Sequence, residues 1–140
     1  MELRSITYTS RAHLNVTSGD LETIHRSALE LNPLDGISGI LIFNGVQFLQ
    51  IIEGPDGALD DLMRRLRGDP RHFHIELRDD RFIEERSFGG WSMKLVRVSA
   101  SYFEATETIR DSIPPSVPDE VRARIFQLTE EISGTVRLHP

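Results

Sequence analysis

"GVQFLQIIEG", Gly45 to Gly54, is the stretch on which the reading of this chain turns. Strand side chains alternate, so Val46, Phe48, Gln50 and Ile52 share one face. Three of the four are apolar and predict a buried face. The fourth is an amide, and a buried amide without a partner costs about 1–3 kcal/mol. Gln50 therefore needs a partner that Val or Leu would not have needed. The preceding Asn44-Gly45 is a strong hairpin signal, which joins this strand to the continuous apolar run Ile40 to Phe43, read as a central strand.

Working outward, Glu2 to Thr9 alternates as a strand, with Arg4, Ile6 and Tyr8 on one face and Tyr8 at its end. Thr17 or Ser18 caps a helix whose apolar positions recur at Leu21, Ile24, His25, Ala28 and Leu29. Asn32-Pro33 is expected to stop it, because a residue before proline is pushed out of the α region. Asn32 would then lie just beyond the helix. Gly36 and Gly39 frame a turn. Pro55-Asp56-Gly57 opens a second helix with Leu59, Leu62, Met63 and Leu66 on one stripe, closed by Gly68-Asp69-Pro70. His72 to about Asp80 and Trp91 to Val98 complete the strands, with Trp91, Met93 and Leu95 on one face of the last.

The order β-α-β-β-α-β-β predicts a ferredoxin-like α+β fold, a mixed five-stranded sheet with two helices on one face. Two C-terminal helices follow, Ser101 to Ser112 and Asp119 to Ser133. The second carries Val121, Ile125, Leu128 and Ile132 on one stripe, with Gly134 as its C′ residue. The division expected is 1–98 and a helical extension, 99–140.

With 140 residues, 39% hydrophobic and 27% charged, the chain fits one ordinary globular domain. No apolar run is long enough to cross a membrane. Charged Glu2 and Arg4 at the start do not read as a signal peptide, so the cytoplasm is the expected location. A net charge of −6 argues weakly against a nucleic-acid partner. The absence of cysteine excludes disulfides, thiolate metal sites and cysteinyl adducts.

Each candidate polar residue has an ordinary explanation by itself. A strand-end Tyr8 packs with its hydroxyl toward water. Asn32 before proline is a turn residue. Together they change the odds, because a phenol and two amides would converge on one apolar layer beneath two helices, a slot suited to a planar heterocycle. "RHFHIE" puts His72, His74 and Glu76 on one strand face, but no second element offers partner ligands, so a solvated strand face is the preferred reading. "GPDG" lacks the lysine and spacing of a phosphate-binding loop. No local motif marks an activated nucleophile.

The ordered set Tyr8 in "SITYTS", Asn32 in "LNPLDGISGIL", Gln50 in "FLQIIEG", "DPRH" at Asp69 to His72 and "GWSM" at Gly90 to Met93 resembles the BLUF family, blue-light sensors using flavin adenine dinucleotide. The resemblance runs from about Met1 to Val98. It implies FAD held non-covalently with its ring between the two helices, flanked by Ile24 and Leu66. It implies that Asn32 bonds the carbonyl and imide edge of the ring, with Arg65 and Asp69 as further contacts there. It implies that Gln50 bridges Tyr8 and the flavin N5/O4 edge, and that light rewires these bonds by rotating the amide or changing its tautomer. Trp91 or Met93 would pack beside Gln50 and pass the change into the last strand and the tail. Output would be contact with a downstream effector protein rather than catalysis, and a homo-oligomer is expected. The rivals are a ferredoxin-like regulatory module without chromophore and a small flavin-dependent oxidoreductase. Ala28 and Leu31 are apolar where family members often carry polar residues, and Ser38 replaces a common threonine.

Overall fold

A computed structural model describes residues 2–13, 17–89, 92–98 and 102–137, with side chains for 105–132 of the last stretch. The elements follow the expected order: β1 (Leu3–Ala12), α1 (Ser18–Asp35), β2 (Ser38–Phe43), β3 (Gln47–Pro55), α2 (Asp56–Arg67), β4 (His72–Ile83), β5 (Lys94–Arg97), α3 (Tyr102–Ser112) and α4 (Asp119–Arg137). The sheet order is β4-β1-β3-β2-β5. All neighbours are antiparallel except β2 and β5, which run parallel. This is the mixed ferredoxin-like sheet that the order predicts.

β3 lies at the centre, and Phe48 to Gly54 are all buried. The strand has two covered faces, which explains why apolar residues occupy both of its phases. Ile6, Tyr8, Leu41 and Ile52 pack with Leu21, Leu59 and Met63 of α1 and α2. On the opposite face Ile40, Ile42, Leu49 and Ile51 pack with Ile109, Ile125, Leu128 and Ile132 of α3 and α4. The C-terminal helices thus form the second layer of one sandwich. The β2–β3 hairpin closes through Asn44, whose Oδ1 accepts from the backbone N–H of Val46 and Gln47. Gly39 is required where the two strands approach, since a Cβ there would lie 2.0 Å from the Ile51 carbonyl oxygen.

Several boundaries differ from the sequence expectation. Tyr8 is interior to β1, not at its end, because β1 continues to Ala12 along both neighbours. α1 begins with a capping box: Thr17 Oγ1 accepts from Asp20 N–H, and the Asp20 carboxylate accepts from Thr17 N–H. It does not stop at Asn32-Pro33. Pro33 lies inside its last turn, and the helix closes at Gly36, φ +71°. Gly36 N–H reaches Pro33 O and Ile37 N–H reaches Asn32 O, satisfying carbonyls that the helix end leaves open. This closure, and burial of Asn32, outweigh the local preference against helix before proline. α4 continues through Gly134 to Arg137, so Gly134 is not its C′ residue. β5 is shorter than expected and begins just after Met93.

Candidate functional site

Tyr8 and Gln50 are cross-strand neighbours in β1 and β3, with side chains on the face under α1 and α2. The Tyr8 hydroxyl donates to Gln50 Oε1. Gln50 Nε2 faces the Met93 sulfur at 3.4 Å. Gln50 is only 6% exposed. The opening question thus has a structural answer with an asymmetry: the oxygen has a strong partner, whereas the amide donor has a thioether, a weak acceptor. Of the two residues expected beside Gln50, Met93 occupies that place; Trp91 lies outside the described residues.

Met93 is held from α1. His25 Nε2 lies 2.9 Å from Met93 O, and Asn32 Nδ2 donates to Ser92 O at 2.9 Å. Residues 25 and 32 are two helical turns apart, so both point from one stripe of α1 at the backbone that enters β5.

A cavity of about 240 Å³ opens over this cluster, between α1 and α2. It brings together Tyr8, Ile24, Asn32, Gln50, Arg65, Leu66 and Asp69, all singled out from the sequence. Ile24 and Ala28 form the α1 wall; Leu62 and Leu66 form the α2 wall. Phe48 and Leu41 lie on the sheet side. Apolar walls facing each other, with amide, phenol and charged groups at the edges, fit a planar tricyclic ring such as isoalloxazine. Gln50 lines this space, and its under-used donor suits a ring with acceptor atoms.

Burial, then the charge of Asp69, push the Tyr8 phenol well above the usual tyrosine range. Tyr8 is therefore a neutral hydrogen-bond donor at every physiological pH. Asp69 is held below the usual carboxylate range, chiefly by hydrogen bonds from the Arg71 side chain, with Nη2 to Oδ2 at 2.6 Å. Asp69 thus reaches the cavity already paired. Arg65 forms a 3.6 Å ion pair with Asp35 on half-exposed ground.

The sequence reading gave three contributors no role at this site. His72 lines the cavity rather than a metal site. Its Nε2 lies 2.6 Å from Leu66 O and its Nδ1 2.8 Å from Ser10 Oγ. A carbonyl only accepts, so Nε2 carries the proton. The signal was present: a histidine placed just after a helix meets its open C-terminal carbonyls. The expected His72-His74-Glu76 row is broken because β4 carries extra residues against β1, with His74 at φ +52°. Among the described residues no group of three or more His, Asp or Glu is placed to hold a metal. Arg71 and His25 are the other two; Arg71 falls within "DPRH" and His25 on the stripe of α1, but their contacts to Asp69 and to Met93 O are not legible from either pattern.

Comparison with known proteins places these residues in context. The family model described as "BLUF: Sensors of blue-light using FAD" matches residues 3–94. The solved dark-state structure of BlrB, a BLUF protein, is 36% identical and superposes with a TM-score of 0.72, covering 96% of this chain and 97% of that one. The blue light- and temperature-regulated antirepressor BluF of Escherichia coli (strain K12) is 31% identical over 128 residues, 91% of this chain and 30% of that protein. The photoactivated adenylate cyclase subunit beta of Euglena longa is 31% identical over 114 residues, 81% of this chain and 12% of that protein. The chain thus spans less than a third of either of these two relatives.

Proposed function

The chain belongs to the BLUF family, the sensors of blue-light using FAD, and on that footing we propose that Tyr8, Gln50 and Met93 form its switch, acting on a flavin between α1 and α2. As a BLUF protein the chain is a flavin-based blue-light sensor; the BLUF unit is a sensor module and not itself catalytic. The observation that carries the proposed switch is the position of Gln50, between a phenol and a thioether at the wall of the cavity.

Ile24 and Leu66 flank the ring. Asn32, Arg65 and Asp69 serve its polar edge. A bound flavin supplies the absorption and a light-driven one-electron oxidant, and its bands redden when hydrogen bonds to its carbonyl edge strengthen. Tyr8 is the donor, with its hydroxyl proton directed at Gln50. Gln50 is the rotor. Turning its amide by half a turn exchanges donor and acceptor toward Tyr8 and Met93 without breaking a covalent bond, whereas the imidic tautomer makes the oxygen a donor by moving one proton from nitrogen to oxygen. Met93 then loses its partner, and the change enters β5.

The cavity suits the ring and not a whole dinucleotide, so FAD is proposed from the family rather than from the volume. Residues 1–98 are the flavin-binding part and 99–140 the output and capping element. Output passes by contact to an effector protein, with neither nucleic acid nor membrane as partner, in a cytoplasmic homo-oligomer. Among the described residues no helix is long and apolar enough to cross a membrane.

Absorption spectra of purified protein in the dark, after blue light and during recovery test this reading. Flavin bands that shift red and relax without added reductant are expected. A protein that takes up no flavin, or whose bands stay fixed under light, overturns it.

A further inference from the structure

One buried acid has no place in the switch just described. Glu53 lies three residues beyond Gln50 on β3, so it points to the opposite face of the sheet. It is 1% exposed. Its carboxylate accepts three hydrogen bonds: from Ser87 N–H at 2.6 Å, Phe88 N–H at 2.8 Å and Ser38 Oγ at 3.1 Å. The Ser38 hydroxyl in turn accepts from Arg86 Nη1 at 2.9 Å, and Arg86 also reaches the Glu53 carbonyl. Charge-assisted bonds from backbone N–H to a buried carboxylate are among the stronger ones available.

What Glu53 holds is the connector from β4 to β5. Phe88 is buried in the core under α3 and α4. Five residues later Met93 is buried in the opposite core, beside Gln50. The connector's described ends, Phe88 and Met93, therefore lie on opposite faces of the sheet. Its two ends are gripped differently. Ser87 and Phe88 are bonded to a carboxylate on the central strand. Ser92 and Met93 are bonded to two side chains of α1, and the Met93 sulfur to the amide proposed to turn.

We infer that Glu53 is a positioning residue that makes the output directional. It fixes the β4 end of the connector, so that a displacement at Met93 is taken up on the other side, in β5. β5 leads to the tail: Val96 is part of the core beneath α3 and α4, and Val98 packs against it. Without the anchor, the same displacement dissipates within the connector. The inference rests on the proposed Gln50 switch and concerns the step after it.

Glu53→Gln replaces one acceptor oxygen by a donor, so one of the two backbone N–H groups loses its partner. The test uses the whole chain loaded with flavin, followed by absorption and by hydrogen–deuterium exchange in darkness and under blue light. In the variant the red shift persists. Dark exchange over 86–89 rises about tenfold, as expected for loss of one typical hydrogen bond. The light-induced change in exchange over 105–132 falls by about fivefold or more, the scale of signal that one such bond controls. General loosening would raise exchange in darkness and light alike and leave their difference unchanged.

A light response over 105–132 equal to wild type overturns the inference. Loss of the red shift in the variant also overturns it, because Glu53 would then act on the Gln50 side. A wild-type protein without red shift instead removes the proposed switch on which the inference stands. Should Glu53→Gln not fold, Glu53→Asp decides: it keeps the carboxylate and withdraws it by one methylene from the Ser87 and Phe88 N–H groups. A reduced light response over 105–132 with the red shift intact supports the anchor, and an unchanged response overturns it.

Discussion

Tyr8 and Gln50 stand directly opposite each other on β1 and β3, and the Tyr8 hydroxyl donates to Gln50 Oε1 across that pair. Both strands are interior to the sheet, so the backbone that sets the spacing is paired on each side. A hydrogen bond mounted this way has a fixed distance between its Cα atoms. What remains free is side-chain rotation, above all that of the amide.

Tyr8→Phe is expected to bind flavin and to lose the red shift. It removes the donor to Gln50 Oε1 and no wall of the cavity. The apo variant is destabilised by about 1–3 kcal/mol, the cost of leaving one buried acceptor unpaired. Difference spectra and urea unfolding check both statements, and an undiminished red shift sinks the assigned role.

Gln50→Leu likewise abolishes the normal shift. Its stability effect couples to that of Tyr8→Phe. Each single change orphans a buried partner, whereas the double change removes both. The double variant is expected to lose less stability than the sum of the singles, by about 1 kcal/mol. Strict additivity in a double-mutant cycle argues against the paired geometry.

Met93→Leu keeps the volume and removes the sulfur facing Gln50 Nε2. Such a swap costs less than about 1.5 kcal/mol, so the protein folds. The red shift persists, since Tyr8 and Gln50 remain. The rate of return to darkness changes by about tenfold, the scale of ~1.4 kcal/mol for one altered contact to the amide donor. Flash spectroscopy measures it; an unaltered rate removes Met93 from the switch.

The raised Tyr8 phenol predicts an alkaline limb of stability. In the unfolded chain tyrosine ionises near pH 10, whereas in the fold it stays protonated to higher pH. Above about pH 10 the unfolded state therefore holds fewer protons, and stability falls with rising pH, at most by about 1.4 kcal/mol per pH unit. Below pH 10 both states hold the proton and this contribution is flat. Comparing wild type with Tyr8→Phe by urea unfolding at pH 9 and pH 11 isolates it; parallel pH dependence in the two proteins contradicts the burial.

The depressed Asp69 works on the acid side. Its pairing with Arg71 contributes stability above the unfolded carboxylate pKa of about 3.9, and that contribution is lost as pH falls through the lower folded value. Asp69→Asn is expected to flatten the dependence below about pH 5 and to leave neutral pH conditions less stable.

The legible part of this molecule is the part where local chemistry and burial agree. Gln50 stands out because an amide interrupts an apolar phase of a strand. Tyr8, Asn32, Asp69, Ile24, Arg65 and Leu66 do fall around one cavity. Asn32 is instructive, since it was found for its place before a proline yet sits within the helix, where tertiary contacts override the local preference. The illegible part depends on long-range docking. Glu53 reads as a solvent-facing acid until α3 and α4 are known to cover its side of the sheet. The β4 bulges that turn His72 away from His74 leave no mark that a two-residue period can show. Met93 beside Gln50 depends on the docking of Ser92 and Met93 against α1, which no local pattern shows.

The second layer of helices has a practical corollary for anyone who cuts or fuses this chain. Ending it at residue 98 would uncover Ile40, Ile42, Leu49, Ile51 and Val96 as one contiguous greasy sheet surface. Such a fragment would clump or seek a substitute lid, whatever its competence to bind pigment. The proposed boundary at 98 is therefore not one between foldable pieces. An optogenetic graft built on it must bring its own replacement for α3 and α4.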